Sequence, residues 1–151
     1  MIKYIEGDLV RDSDQFELIA HCANCFCTMG SGIAPQIRYK FPEAYDVDCS
    51  TKKGDILKLG TITHTINTSP IIVNIYGQYG YGGRNKGKMD LDYSALRSGF
   101  KLIKNKFSGK KIGLPYLGTG LAGGDEKIVI SIIEEELYGE DVTLVKYKPI
   151  S

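Results

Sequence analysis

The chain has 151 residues, 42% of them hydrophobic and 25% charged, enough for one domain with a substantial core. A formal net charge of +1 argues against a broad nucleic-acid surface, and no apolar stretch is long enough to span a bilayer. Met1-Ile2-Lys3-Tyr4 opens no signal peptide, so a cytoplasmic location and no membrane partner are expected.

Ile2 to Glu6 alternates and then meets Gly7-Asp8, which predicts a first strand. Phe16 to Cys22 predicts a second, with Leu18, Ile19 and Ala20 as its buried run. Ser31 to Phe41 predicts a helix that Ser31 can cap and whose first turn tolerates Pro35. Pro42 opens a short helix to about Cys49. Thr61 to Asn67 and Ile71 to Tyr76 predict a strand pair turned at Thr68-Ser69-Pro70. Gly77 to Asp90 is rich in glycine and has no hydrophobic period, so it is a loop. Leu91 to Phe107 is amphipathic, with Leu91, Leu96, Phe100, Ile103 and Phe107 near one helical face. Lys111 to Pro115 predicts a strand, Asp125 to Leu137 a helix, and Val142 to Tyr147 the last strand. Strands alternating with helices imply a mostly parallel sheet covered on both faces, with ligands at the carboxyl ends of the strands.

Two glycine loops leave from such ends. The first runs His21-Cys22-Ala23-Asn24 and then Met29-Gly30-Ser31-Gly32-Ile33-Ala34. The second runs Leu117-Gly118-Thr119-Gly120-Leu121-Ala122-Gly123-Gly124-Asp125. Glycine lets backbone approach a ligand closely, and free N–H groups bind anions, so two such loops suggest a ligand with two phosphates or a phosphate and a sugar. Cys22, Cys25, Cys27 and Cys49 are spaced poorly for a disulfide framework and are expected as reduced thiols. Cys25-Phe26-Cys27 lacks the gap of a zinc knuckle, so neither a metal nor another cofactor is predicted.

Gly7-Asp8-Leu9, Asn24, the Met29–Ala34 run and the Gly118–Asp125 run, taken together and in order, resemble the macrodomain superfamily, the ADP-ribose-binding fold. His21 and the Gly-Ser-Gly-Ile-Ala run are most similar to the branch holding ADP-ribose 1″-phosphate phosphatases and terminal ADP-ribose glycohydrolases. The resemblance covers almost the whole chain. It implies a single α/β domain over 1–151, a three-layer α/β/α sandwich with a mixed, mostly parallel central sheet. It implies ADP-ribose or ADP-ribose 1″-phosphate as ligand, with ADP-ribosylated protein as a further partner. Asp8 would accept from the adenine amino group beside the Leu9 N–H. Asn24 would hold the distal ribose, with Cys22 and Ala23 near it. Residues 30–34 would wrap one phosphate and Gly118, Thr119, Gly120 and Leu121 the other. The expected activity is removal of phosphate from ADP-ribose 1″-phosphate.

Several residues carry two readings. His21 ends a buried strand, where a histidine serves the core, or it acts as general acid or oxyanion partner. Asp125 caps the last helix, or it is the general base. Asn24 binds ligand, or it closes an Asx turn. Tyr76, Tyr79 and Tyr81 stack on ligand as a lid, or they are ordinary strand-end and loop tyrosines. Asp90 and Asp92 reach the cleft mouth, or they mark a helix N-terminus. In the glycohydrolase branch a lysine follows the central strand and an aspartate follows Gly-x-Gly-Leu. Here Asn74-Ile75-Tyr76-Gly77-Gln78 holds no lysine and Ala122 follows Leu121. Phosphatase chemistry, binding alone, or removal of ADP-ribose by a route without lysine therefore remain as alternatives.

Overall fold

The computed structural model describes residues 2–83, 89–117 and 123–149. Six strands form one sheet: β1 (Lys3–Gly7), β2 (Leu18–Ala23), β3 (Ile62–His64), β4 (Ile71–Tyr76), β5 (Lys111–Leu114) and β6 (Asp141–Tyr147). Four α-helices connect them: α1 (Ala34–Lys40), α2 (Pro42–Cys49), α3 (Tyr93–Phe107) and α4 (Glu126–Glu136). The strand order is β1-β6-β5-β2-β4-β3. Every pairing is parallel except β3 with β4, so the sheet is mixed and mostly parallel, as expected.

The sheet is a two-sided core. Alternate side chains point to opposite faces, so Leu18 and Ala20 of β2 join α3 and α4, while Ile19 joins α1 and α2. Leu96, Phe100 and Ile103 form the buried stripe of α3, as their helical spacing predicts. The result is the three-layer α/β/α sandwich.

Among the boundaries that differ from expectation, three have clear local reasons. The α1 helix starts at Ala34, because Gly32 has φ +63° and no side chain caps the helix, so Ser31 lies outside it. The β3 strand ends at His64 rather than Asn67. There Thr65 Oγ1 accepts the Ile72 N–H at 2.9 Å, and the Glu43 carboxylate accepts the N–H groups of Ile66 and Asn67. The α3 helix starts at Tyr93, with Asp92 as its N-cap accepting from the Ala95 N–H at 3.0 Å.

The register opens the site. The β2–β4 ladder runs from Leu18–Ile71 to Ala23–Tyr76, whereas β2 pairs with β5 only at Leu18–Ile112 and Ile19–Gly113. Beyond Gly113 the two strands part, leaving a gap at their carboxyl ends. Gly113 itself admits close packing: a Cβ there would stand 2.8 Å from the Phe16 ring and 2.9 Å from Leu9.

Candidate functional site

A cleft of about 860 Å³ fills that gap. Asp8 and Leu9, just after β1, form one end beside Val145, Lys146 and Tyr147 of β6. His21, Cys22, Ala23 and Asn24 bring in the end of β2, and Met29 to Ala34 the glycine loop before α1. Pro115, Tyr116 and Leu117 follow β5 on the opposite wall. Gln78, Tyr81, Gly82 and Asp90 close the mouth. Gly118, Thr119, Gly120 and Leu121 lie outside the described residues.

The glycine loop combines left-handed backbone with unengaged donors. Cys27 and Met29 have φ of +59° and +40°, and Gly32 follows at +63°. Left-handed backbone at two non-glycine positions is held only where surrounding structure fixes it. Among the described residues, no group accepts from the N–H groups of Gly30, Ser31, Gly32 or Ile33. Consecutive unengaged N–H groups in such a turn form a concave donor surface for phosphate oxygens.

Asp8 is half-buried, and its Oδ1 accepts the Arg11 N–H at 3.1 Å, leaving lone pairs for a second donor. Asn24 borders the cleft and also closes an Asx turn. Its Oδ1 accepts the Phe26 N–H at 2.8 Å and its Nδ2 donates to Thr28 Oγ1 at 2.6 Å. The Asx-turn reading of Asn24 is thus realised, in a side chain that also lines the cleft. Burial pushes the Cys22 thiol up to about 12, which makes it a packing group rather than a nucleophile.

His21 is 1% exposed, on the α1/α2 face of β2. Its Nε2 lies 2.6 Å from Asn74 Oδ1 on β4. Burial lowers its pKa to about 4, against the opposing effect of the Asn74 bond, so the ring is neutral near pH 7. Among the described residues two buried side-chain polar atoms have no partner, His21 Nδ1 and Asp48 Oδ2. Both residues border the cleft.

Two expected site residues stand elsewhere. Asp125 caps α4, accepting from the N–H groups of Lys127 and Ile128, and it does not line the cleft. Tyr76 is fully buried, and its hydroxyl donates to Asp48 Oδ1 at 2.6 Å, so it belongs to the interior and not to a lid. Burial is also the main reason its own pKa is raised. Tyr79 is tied away from the cleft by its hydroxyl on the Gly54 carbonyl at 2.7 Å and its edge against Phe26. Only Tyr81 of the three reaches the mouth.

Asp48 was not among the expected residues. It sits on α2 with its side chain inside the protein, and burial raises its pKa against the Tyr76 bond and the nearby Lys58 charge. Its signal was faint, one of three acids in a short helix of mixed polarity. Asp90 borders the cleft and accepts the Gly83 N–H at 2.8 Å, while the helix N-terminus is marked by Asp92. Among the described residues no three His, Cys, Asp or Glu side chains gather in a metal-binding group. No helix among them is long and apolar enough to cross a membrane.

A family model described as Macro domain matches residues 20–133. An uncharacterized 17.5 kDa protein from the tk-vs intergenic region of Enterobacteria phage T4 is 31% identical over 99% of both chains. The ADP-ribose 1″-phosphate phosphatase of Debaryomyces hansenii is 40% identical over 76 residues, 46% of this chain and 42% of that protein. The structure of Thermosipho africanus DarTG in complex with ADP-ribose superposes with a TM-score of 0.74 at 21% identity, over 98% of this chain and 42% of that one.

Proposed function

The chain belongs to the Macro domain family, and on that premise we propose that it binds ADP-ribose in the cleft and hydrolyses ADP-ribose 1″-phosphate to ADP-ribose and inorganic phosphate. One observation carries the reading. Gly30 to Ile33, whose N–H groups are unengaged, and His21, whose buried Nδ1 has no partner, line the same cleft. The named activity of the Debaryomyces relative supports it, as does the ADP-ribose bound to the Thermosipho protein.

In this reading Asp8 accepts from the adenine amino group, with the Leu9 N–H beside it. The diphosphate lies against the Gly30–Ala34 loop, and the distal ribose meets Asn24. The 1″-phosphate rests by Gly30-Ser31-Gly32, whose N–H groups stabilise the charge that builds on its oxygens. Water attacks phosphorus, its proton passes to His21 Nδ1, and the bond from phosphorus to the ribose oxygen breaks. The departing oxygen takes its proton from solvent. A phosphate dianion beside His21 favours the protonated ring, so substrate raises the basicity that burial had lowered.

A second reading is a reader that holds ADP-ribose, or ADP-ribosylated protein, without turnover. The Asn24 amide engaged in its own turn and the weak basicity of His21 favour it. Phosphate release from ADP-ribose 1″-phosphate without added metal, with ADP-ribose calorimetry on the same sample, separates the two. Release that His21→Ala abolishes supports the phosphatase. Tight binding without release makes the protein a reader. Free ADP-ribose liberated from a modified protein marks a hydrolase of that bond, reached without lysine in the 74–78 strand end.

A further inference from the structure

His21 is the first member of a buried chain of polar side chains that runs under the sheet to Asp48. Asn74 stands opposite His21 in the β2–β4 register, and its Oδ1 faces Nε2 at 2.6 Å. Asn74 Nδ2 donates to the Ala44 carbonyl at 3.0 Å and to Thr63 Oγ1 at 3.1 Å. Thr63 Oγ1 lies 3.0 Å from the Tyr76 hydroxyl, which donates to Asp48 Oδ1 at 2.6 Å.

The direction of each bond follows from what its partner can do. A backbone carbonyl only accepts, so the Asn74 atom facing Ala44 is the nitrogen. Flipping the amide would set two oxygens against each other at that contact and leave the carbonyl without a donor. With the nitrogen fixed there, the Asn74 oxygen must face His21. An oxygen that only accepts requires a proton on Nε2. Neutral imidazole carries one ring proton, so Nδ1 keeps its lone pair. Farther along, the Tyr76 proton is directed at the carboxylate, so the Thr63 hydroxyl donates to the Tyr76 oxygen and accepts from Asn74. Every bond then points the same way, from the imidazole to the carboxylate, an arrangement in which successive hydrogen bonds polarise one another.

We propose that Asn74 is a positioning residue that fixes His21 as the Nε2–H tautomer, itself held by Ala44 and by the Thr63–Tyr76–Asp48 chain, so that the buried Nδ1 of this cleft-lining residue keeps a lone pair and not a proton. A donor that reaches Nδ1, a hydroxyl of the ligand or the attacking water, then meets an acceptor. This rests on the phosphatase reading only for its kinetic consequence; the tautomer is a property of the empty protein.

The chain has two histidines, and the second supplies an internal contrast. His64 Nδ1 lies 2.9 Å from the Thr65 carbonyl, so its Nδ1 is the donor. Long-range proton–nitrogen correlation spectra of nitrogen-15 protein at neutral pH read both rings directly. The expected result is an Nε2–H pattern for His21 beside an Nδ1–H pattern for His64. An Nδ1–H pattern or a tautomer mixture at His21 in the wild-type protein overturns the proposal, whether or not phosphate is released. Asn74→Leu is expected to mix the His21 tautomers and to lower kcat on the order of 10²-fold, with KM little changed. Should that variant fail to fold, Tyr76→Phe keeps the ring in place and cuts the chain between Thr63 and Asp48. It is expected to shift the His21 nitrogen resonances and leave those of His64 alone. Unmoved His21 resonances in a folded Tyr76→Phe protein would show that Asp48 and Tyr76 take no part. Absent phosphate release with the expected tautomer would remove the phosphatase reading and leave the positioning role.

Discussion

Asp125 Oδ1 accepts the backbone N–H of Lys127 at 2.8 Å, which makes the residue the N-cap of α4. An N-cap satisfies donors that the helix cannot satisfy itself. Asp125→Ala is therefore expected to lower stability by about 1 kcal/mol and to leave phosphate release per bound substrate unchanged. Thermal unfolding and single-turnover kinetics on the same variant test this. A folded variant with normal stability and turnover reduced a hundredfold or more, the lower end of general-base catalysis, would restore Asp125 as the base.

Asp8 lines the cleft with a carboxylate that accepts the Arg11 N–H and lies near the Arg11 charge. Asp8→Ala is expected to weaken ADP-ribose binding by roughly 1–3 kcal/mol, the range for losing one partner of a buried polar contact. Calorimetry against ADP-ribose and against ribose 5-phosphate measures it. The loss should appear with the first ligand and vanish with the second, which has no adenine. Equal losses for both would assign Asp8 to the loop and not to the base.

His21 ties stability to pH. Its folded pKa of about 4 lies below the ordinary value of 6.5, so the unfolded chain binds the proton more readily. Stability from this group is whole above pH 6.5, falls as pH drops through the window down to 4, and levels off below it. The full change is roughly 3 kcal/mol at 1.36 kcal/mol per pH unit. Denaturant unfolding of wild type and His21→Gln between pH 4 and 7 isolates it, because Asp48, whose pKa is raised, contributes the opposite slope to both proteins. A constant difference between the two proteins across that window would contradict the burial argument.

The cysteines should differ sharply in reactivity. Cys49 is exposed, Cys25 is buried, and burial holds the Cys22 thiol up to about 12. With iodoacetamide near pH 8, native protein is expected to be modified at Cys49 first. Cys22 and Cys25 should react only when the protein unfolds. Peptide mapping by mass spectrometry decides it, and early labelling of Cys22 would mean that the cleft wall opens far more than the structure shows.

Much of the architecture was legible because period and punctuation carry it. The Leu96, Phe100 and Ile103 stripe, and the apolar run at Leu18 to Ala20, define their elements without any knowledge of neighbours. The glycine loop was legible for the same reason, since Gly30-Ser31-Gly32 has few uses other than close backbone approach. The side chains were less so. Asp125 caps a helix with the same atoms that a general base would use, so composition could not separate the roles. Tyr76 ends a strand buried on both faces, where no alternation reports which way a ring points. The polar chain did leave a trace. His21 and Asn74 each interrupt an otherwise apolar strand, and two such interruptions in buried strands imply that each satisfies the other. What sequence could not supply was the β2–β4 register that sets them side by side.

The pairing of β1 with β6 has a consequence for how the protein is made. Lys3 to Gly7 lie beside Thr143 to Tyr147, and among the described strands β1 has no other neighbour. On the ribosome this strand waits, unpaired, until nearly the whole of the sheet has been synthesised. Its docking closes one of the longest loops in the chain, and contacts of that range form slowly. Because Asp8 and Leu9 are carried to the cleft by that strand, the end of the pocket assigned to adenine is absent from every shorter nascent chain. The end of the cleft that Asp8 and Leu9 line is therefore completed only when β6 is there to hold β1.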